Sequence, residues 1–394
     1  MICRKGSKGA KIALLAIFLL SALLLSGCWN NRDLTEMNLV SAAGLERTKD
    51  GKLLLTVQVV EPAAIQSTSS GKGQGGNGSP YPTYVSSYEG ETLFETIRGI
   101  LSTLDKKLFF SATQILILGE NLAKDDIIEA LDFFQRDHEI NYKMYILVAK
   151  DVSPQEILEI KNDLDPIEAM YLKRTVDNNV ARGTVKRTML IDLVKDIYCS
   201  GKQIAIGQIT KSGKKEVRTE GIAVFKDGKL AGWLNRRETR GYLFAINQIK
   251  STIVNVPVEE GLVAIETISA KGKVHVPFKK GKPAALGIKV NIEAAVGEYA
   301  GTGKLECPER IYELERKTEE VVRKEIEDAL KKVQKEFSSD IFGFGQQVRK
   351  YNPKYWKKIK KEWNELFSEL PADIKVKAKL RRVGSVRDSL EKDE

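Results

Sequence analysis

The sequence predicts an α+β protein of two to three mixed α/β domains, and three observations carry that prediction. The length of 394 residues is enough for two or three domains. In the first half, short apolar runs typical of strands alternate with segments of helical periodicity. In the second half, strands follow one another in series before one long charged helix. We therefore expect the C-terminal domain to be an antiparallel sheet with that helix packed on it.

Residues 1–27 have the layout of a lipoprotein signal peptide. Four basic residues come first: Arg4, Lys5, Lys8 and Lys11. An apolar run of 14 residues follows, from Ile12 to Leu25. That run is shorter than the ~20 residues of a membrane-spanning helix, but it suits a signal that is removed.

The run ends in Leu25, Ser26, Gly27 and Cys28, which resembles the lipobox of bacterial lipoproteins. In a lipobox the cysteine thiolate is the nucleophile that accepts the lipid, and the signal is cut just before it. We therefore expect Cys28 to be lipidated, with Leu25, Ser26 and Gly27 forming the lipobox. The attached acyl chains would hold the protein on a membrane, since each buried methylene contributes ~0.8 kcal/mol. The alternative is an uncleaved anchor with an incidental cysteine.

Shifts in composition predict where the regions begin and end. The N-terminal α+β region, which can split into two domains, covers residues 28–206, and a Gly/Ser-rich loop at 67–83 lacks the apolar content to pack. A polar linker is predicted at 207–218 and a C-terminal α+β domain at 219–386. The charged residues 387–394 are expected to fray.

Within these regions the pattern predicts particular elements. Hairpins with type I′ turns are expected around Asp50-Gly51 and Asp227-Gly228. Ser153 and Glu156 have the spacing of a capping box, and residues 165–198 should be mainly helical with a break at Arg182-Gly183. A long helix is predicted from Pro308 to Phe337, and a last strand near residues 373–383 could close the sheet.

Two stretches near the C-terminus could be mistaken for binding motifs. Residues 342–345, Phe-Gly-Phe-Gly, lack the spacing of a phosphate-binding loop, so we expect a tight turn with its aromatic rings packed inward. The lysines of residues 354–361 lie among Trp356 and Trp363 on one predicted amphipathic helix. A contact with lipid head groups is the functional alternative for that helix.

Composition and motifs argue against several functions. The net charge is +10, and removal of residues 1–27 would lower it to +6, which suits anionic lipid and does not call for nucleic acid. The two histidines, His138 and His275, are far apart and lack ligand spacing. Neither GxSxG nor HExxH occurs. We therefore expect no enzyme, no cofactor and no metal site. Cys199 and Cys307 could form one disulfide, although two unpaired buried thiols are the plainer alternative.

Three long phrases together resemble one known family, over essentially the whole mature chain and in order. They are CWNNRDLTEMNLVSAAGLE from Cys28, GIAVFKDGKLAGWLNRRETRGYLF from Gly221, and DIFGFGQQVRKYNPKYWKKIKKEWNELF from Asp340. The family is the Ger(x)C family of spore-germination lipoproteins, the C subunits of nutrient germinant receptors. The opening departs mildly from the family pattern at Asn30 and Asp33.

The resemblance implies a non-enzymatic subunit of three mixed α/β domains, tethered by lipid to the outer, extracytoplasmic face of the spore's inner membrane. Its implied role is assembly or signal coupling with integral membrane A and B subunits. The lipidated residue carries over to Cys28 alone, and no nutrient-binding residue carries over, so direct nutrient binding is not expected. Trp233, Asn235 and Arg240 are candidates for a partner surface, although a packed hairpin tryptophan is the plainer explanation. The alternative function is a solute-binding lipoprotein of an importer, which would need two α/β lobes around a cleft.

Overall fold

The computed structural model of this chain describes residues 9, 12–18, 36–62, 82–136, 139–259, 261–300 and 308–382. Residues 12–18 are helical. From Asn38 onward the described residues form one compact unit. Among the described residues, the buried apolar clusters of that unit lie between Val40 and Leu380. Most of the predicted loop at 67–83 and all of the tail at 387–394 lie outside the described residues.

The first sheet has ten strands and is built mainly from the N-terminal half. The strands are β1 (Met37–Arg47), β2 (Leu53–Val60), β3 (Thr83–Gly90), β4 (Lys107–Phe109), β5 (Ile115–Leu118), β6 (Tyr145–Ala149), β7 (Ala205–Lys211), β8 (Val217–Arg218), β9 (Ile222–Lys226) and β10 (Lys229–Leu234). Their main order is β10-β9-β7-β6-β5-β1-β2-β3, with β4 beside β1 and β8 beside β7. The centre, β1, β5, β6 and β7, is parallel, and antiparallel strands flank it on both sides.

Helices cover both faces of the first sheet, and this explains why β5 and β6 are apolar at every position. Six helices belong to this half: α1 (Leu93–Gly99), α2 (Glu120–Asp125), α3 (Ile127–Arg136), α4 (Pro154–Leu158), α5 (Glu168–Ala181) and α6 (Leu190–Tyr198). Leu116 and Val148 face α1, α2, α3 and α6, whereas Ile117 and Leu147 face α4 and α5. The predicted capping box of Ser153 and Glu156 begins α4. The predicted break after Arg182 is also confirmed, since Gly183 there has a φ of +68°.

The second sheet has four strands and one open face. Its order is β11 (Thr252–Val258), β12 (Gly261–His275), β15 (Leu286–Ala300) and β16 (Ala372–Arg382), and a small hairpin, β13 (Phe278–Lys279) with β14 (Lys282–Pro283), joins β12 to β15. The first three strands are antiparallel, and β16 runs parallel to β15. One face packs on five helices: α7 (Arg236–Ala245), α8 (Pro308–Lys335), α9 (Phe344–Tyr351), α10 (Pro353–Ile359) and α11 (Trp363–Glu369). The predicted fold class, with a long helix on the C-terminal sheet, is therefore confirmed.

The long helix α8 also closes the edge of this sheet. The carboxylates of Glu315 and Glu319, one turn apart, accept hydrogen bonds from the backbone N–H groups of Leu380 (2.9 Å) and Ala378 (3.0 Å) on the edge strand β16. These contacts occupy donors that would otherwise offer a template for another strand. On its other side α8 meets α7 at Gly241, where an added Cβ would lie 2.3 Å from the carbonyl oxygen of Glu325.

Several local expectations were wrong. The predicted linker at 207–218 is not a bridge, because residues 207–211 belong to β7, which pairs with β6 and β9, and residues 217–218 form β8. Burial of Ile209 and Val217 draws this segment into the sheet. The hairpin at Asp50-Gly51 is present, but only Gly51 of the two has a positive φ, so its turn is not type I′. The helix predicted through the lysines of 354–361 is two helices, α10 and α11. The domain boundaries themselves stay a prediction.

Candidate functional site

The residues predicted to carry chemistry, Cys28 with Leu25, Ser26 and Gly27, lie outside the described residues, so their lipidation stays a prediction. Cys199 is described and is exposed, contrary to the buried thiol that was the plainer alternative. It follows the C-terminal end of α6 at the surface, where Arg349 Nη1 lies 3.9 Å from its sulfur. Cys307 lies outside the described residues, so the pairing of these two cysteines stays open.

The most developed polar arrangement in the described chain is a cluster that we name the junction: residues 338–345 together with Trp363. It begins directly after α8, where the chain turns back toward the first sheet. Gly343 adopts a φ of +82°, which a side chain would disfavour. Phe342 and Phe344 are buried, as predicted for the Phe-Gly-Phe-Gly turn. The junction therefore sits where the two sheets meet.

Asp340 lies at the centre of the junction and is completely buried. Its Oδ1 atom accepts hydrogen bonds from the backbone N–H groups of Gly343 (2.8 Å) and Phe344 (3.2 Å). Its Oδ2 atom accepts from the N–H of Gly345 (2.8 Å) and from Nε1 of Trp363 (2.9 Å). Burial raises the pKa of the Asp340 carboxyl, and the four donors oppose that effect. The carboxylate also lies at the N-terminus of α9, where negative charge is favoured.

Other contacts of the junction reach the first sheet and α7. Ser339 Oγ donates to the carbonyl oxygen of Phe225 in β9 (2.6 Å), and the carbonyl oxygen of Asp340 accepts from the N–H of Gln203 (2.9 Å). The hydroxyl of the buried Tyr242 donates to the carbonyl oxygen of Ile341 (3.2 Å). The rings of Tyr242 and Phe342 meet edge to face, 5.1 Å apart. The junction thus fastens the C-terminal helices to the strands of the first sheet.

The second and third phrases that resemble the Ger(x)C family meet at this cluster. Phe225 and Tyr242 come from the phrase that begins at Gly221, and Asp340 and Trp363 come from the phrase that begins at Asp340. The sequence reasoning predicted the turn but missed Asp340 as its centre. The available signal was a lone acidic residue just before a Gly/aromatic run, at the N-terminal side of a helix. These two phrases therefore build a structural connection.

The suggested partner-surface residues have structural roles. Trp233 is half-buried, with the ammonium of Lys150 5.4 Å from its ring centroid. Asn235 caps α7 by accepting from the N–H groups of Arg237 and Glu238. Arg240 forms an ion pair with the buried Glu325 of α8, with Nε 2.8 Å from Oε2. The plainer explanation of the tryptophan is thus supported by its packing.

The surface of the described residues contains several clefts. One of about 960 Å³ lies between α7, β11 and α8, and its charged walls include the pairs Arg240–Glu325 and Lys324–Asp328. An apolar cleft of about 490 Å³ is lined by the rings of Phe94 and Phe133. A third, about 430 Å³, borders the junction. Arg237 and Glu298 also line the cleft of about 960 Å³.

Lys186 is a titratable residue buried away from the junction. The ammonium of Lys186 lies beneath the first sheet and donates to the carbonyl oxygen of Ala205 (2.7 Å) and to Oγ1 of Thr188 (3.2 Å). Burial, assisted by the positive charge of Lys202, lowers the pKa of Lys186 to about 8. Within the described residues, no group of three or more His, Cys, Asp or Glu side chains is placed to hold a metal ion. Among the described helices, none is long and apolar enough to cross a membrane.

Known spore germination proteins are similar to this chain over nearly its whole length. The family model for the N-terminal domain of spore germination proteins matches residues 30–211, and the model described as spore germination B3/GerAC like, C-terminal, matches residues 220–384. Spore germination protein KC of Bacillus subtilis (strain 168) is 28% identical over 95% of this chain and 96% of its own length. Spore germination protein A3 of the same organism is 25% identical over 95% of this chain and 98% of its own.

The fold agrees with a solved structure. The crystal structure of the GerBC protein matches with a TM-score of 0.55 and 20% identity, over 86% of this chain and 96% of that one. The two family models cover both halves of the chain in order. The chain therefore belongs to the Ger(x)C family of spore germination proteins, the family of germinant receptor C subunits.

Proposed function

We propose that this protein is a lipid-anchored, non-enzymatic C subunit of a nutrient germinant receptor. It is held through acylated Cys28 on the outer face of the spore's inner membrane and acts in assembly or signal coupling with integral membrane A and B subunits. The observation that carries the proposal is the match of both family domains, in order, over residues 30–211 and 220–384. The lipobox that ends at Cys28 supports the anchor.

The junction supports a scaffolding role for the subunit. Its central carboxylate is saturated by four protein donors, so it has no lone pair left for acid–base work. A fully satisfied buried network rigidifies its surroundings. A displacement of one sheet would therefore be transmitted to the other sheet through the rigid junction. Such a body suits the transfer of a conformational change between membrane partners.

The alternative of a solute-binding lipoprotein is less well supported. That class needs a second α/β lobe resembling the first. The C-terminal half is instead a four-stranded sheet with three antiparallel strands and the long helix α8.

The anchor is tested by substituting Cys28→Ala in spores, with Cys199→Ala as the matched control. We expect Cys28→Ala to abolish metabolic lipid labelling and, in a high-salt wash, to release the protein from the membrane fraction, because the acyl chains are its only proposed attachment within the bilayer. Cys199→Ala should leave labelling and retention unchanged, since that thiol follows α6 at the surface. Continued labelling of the Cys28→Ala protein would contradict the anchor.

The receptor role is tested by affinity isolation from solubilised spore membranes. We expect the A and B subunits to be recovered with the wild-type protein. Spores lacking the protein should lose their response to the nutrients of the cognate receptor while other receptors still respond. A normal response to every nutrient in those spores would show that the proposed function is wrong.

A further inference from the structure

The open face of the second sheet carries a field of lysines on three neighbouring strands. Cross-strand register places Lys273, Lys289 and Lys375 directly opposite one another on β12, β15 and β16. Lys271 and Lys377 lie two residues further along their strands, on either side of Asn291, and Lys379 lies four residues after Lys375. We name these six residues, Lys271, Lys273, Lys289, Lys375, Lys377 and Lys379, the basic face. All six side chains are exposed.

The opposite face of the same strands confirms which way these side chains point. Gly272, Val290 and Val376 form the register level next to the lysine row. Val290 and Val376 are buried in the core beneath the sheet. Since successive residues of a strand alternate between faces, the lysines lie on the side away from the core.

The positive charge of this face is largely uncompensated. Among the described residues, the acidic neighbours at these levels are Glu293, which pairs with Arg381 at 2.6 Å, and Asp373, which lies 3.3 Å from Lys375. Three further exposed lysines occur in the connection between β12 and β15: Lys279, Lys280 and Lys282. The charge therefore continues past the strand ends.

Such an arrangement costs stability, because like charges directly opposite one another in a sheet repel. Some less exposed lysines of the chain do form ion pairs, as Lys202 does with Asp196 at 2.7 Å and Lys332 with Glu238 at 3.1 Å. Of the three lysines in the row, Lys273 and Lys289 form no ion pair among the described residues, and Lys375 has only its exposed pair with Asp373. The repulsion within the row is relieved when an anionic surface lies against the face.

We propose that the basic face binds the surface of a membrane that contains anionic lipid head groups. Two observations favour lipid over an acidic protein partner. The charges are all lysines, compact point charges that lack the planar fork of arginine for geometrically specific contacts. The positions around them are Ser269, Asn291, Gly287 and the half-buried His275, and they offer no phenylalanine, tyrosine or tryptophan of the kind that anchors protein interfaces.

The dimensions also suit a diffuse surface. Three strands ~4.8 Å apart and three register levels ~7 Å apart spread the charge over about 10 by 14 Å. Basic residues near an anionic membrane act through its surface potential, which falls off within a Debye length. The face would therefore orient a protein that is already held at a membrane. This proposal assumes one part of the proposed function, the lipid anchor, which brings the membrane close to the basic face.

The test uses the chain from residue 29, which retains the whole compact unit and lacks the signal and Cys28. Flotation is measured with vesicles of phosphatidylcholine alone and of phosphatidylcholine with about one third phosphatidylglycerol. The row variant carries Lys273→Gln, Lys289→Gln and Lys375→Gln. The matched control removes the same charge from exposed positions of α10, as Lys354→Gln, Lys357→Gln and Lys358→Gln.

We expect binding to the phosphatidylglycerol vesicles only, and its loss when salt is raised from about 0.1 M to about 0.5 M. Each lysine near an anionic surface strengthens binding by roughly fivefold, so the row variant should bind at least about tenfold more weakly. The α10 control should bind within about twofold of the wild type, since its lysines lie outside the basic face. Circular dichroism shows that both variants fold.

Three outcomes would overturn the proposal. The first is no binding to the phosphatidylglycerol vesicles. The second is an equal loss in the row variant and the α10 control, which would mean that net charge alone acts. The third is binding of an acidic polypeptide through the row without vesicle binding, which would indicate a protein partner. None of these outcomes bears on Cys28, because the tested chain lacks it.

Discussion

The two sheets of this protein differ in how many of their faces helices cover. The first sheet is buried on both faces, whereas the second has one face with exposed side chains. In the first sheet, all five residues of β6 are buried because helices pack on both faces. In the second, β16 alternates between buried and exposed positions because only one face is covered. A strand with two covered faces has no room for function beyond packing. The open face is where this chain can present side chains to a partner.

The same contrast appears in the charged residues. Asp340 is wholly buried, and each of its oxygens accepts two hydrogen bonds. Lys289 is exposed between two other lysines, and no ion pair of Lys289 is found among the described residues. A buried charge without partners would be strongly destabilising, whereas an exposed one costs little. Removal of each charge should therefore have opposite consequences for stability.

The largest expected effect is that of breaking the junction. Asp340→Asn replaces one carboxylate oxygen by an NH₂ group. That group then faces two N–H donors, those of Gly345 and Trp363 or those of Gly343 and Phe344. We expect the free energy of unfolding to fall by about 3 kcal/mol, and by about 3–5 kcal/mol for Asp340→Ala, which leaves four buried donors unpaired. Chemical denaturation measures both values.

Asp373→Asn is the matched control for this prediction. Its carboxylate forms only an exposed pair with Lys375. The free energy of unfolding should change by less than about 0.5 kcal/mol. If Asp340→Asn were as mild as this control, Asp340 would not hold the two sheets together.

A smaller effect is expected from the buried cation of the first sheet. The pKa of Lys186 is about 8 in the folded protein, against 10.5 when unfolded. Between these values the unfolded chain binds a proton that the folded chain has released, so stability increases as pH rises. The free energy of unfolding should be about 2 kcal/mol higher at pH 9.5 than at pH 7.5. Denaturation curves at both pH values measure it.

Lys186→Met serves as the reference for that measurement, because other groups titrate over the same range. From pH 7.5 to 9.5 the free energy of unfolding of the wild type should rise by about 2 kcal/mol relative to that of Lys186→Met. A difference that stays constant from pH 7.5 to 9.5 would mean that Lys186 keeps an ordinary pKa.

The smallest expected change in the free energy of unfolding comes from removing a charge on the open face. It should be an increase, whereas the change at Asp340 is a decrease. Lys289→Gln removes the central charge of a row of three, so it should stabilise the protein by about 0.2–1 kcal/mol. Lys358→Gln on α10 should change stability by less than about 0.5 kcal/mol. Thermal and chemical unfolding compare the two. A clear loss of stability in Lys289→Gln would show that its charge has a partner within the protein.

Local features of both sheets could be predicted from the sequence because they depend on near neighbours. The apolar period of α8 places Leu314, Val322 and Ile326 on one side, and the structure buries all three. The alternation of residues 373–383 indicated a strand that could close the second sheet, and β16 does so. The capping box at Ser153 follows from residues three positions apart.

The junction and the basic face could not be predicted because both depend on distant residues. The contacts of Asp340 involve Gln203 and Trp363, and no local pattern links those positions. The lysine row depends on the register of β12, β15 and β16, and a shift by one residue would turn its lysines toward the core. The predicted linker was wrong for a similar reason, since Gly207 becomes part of a strand only when β6 and β9 lie on either side.

The parallel pairing of β16 with β15 also sets the order in which the chain can fold. Residues 301–371, which include α8 and the three helices after it, separate the two strands. The strands β11, β12 and β15 can pair before β16 is present, but the complete four-stranded sheet and the edge contacts of Glu315 and Glu319 need it. Non-local pairing of this kind is slow, because the chain loop must close before the contacts stabilise it. The core beneath the second sheet therefore stays incomplete during synthesis until residues 372–382 have been added.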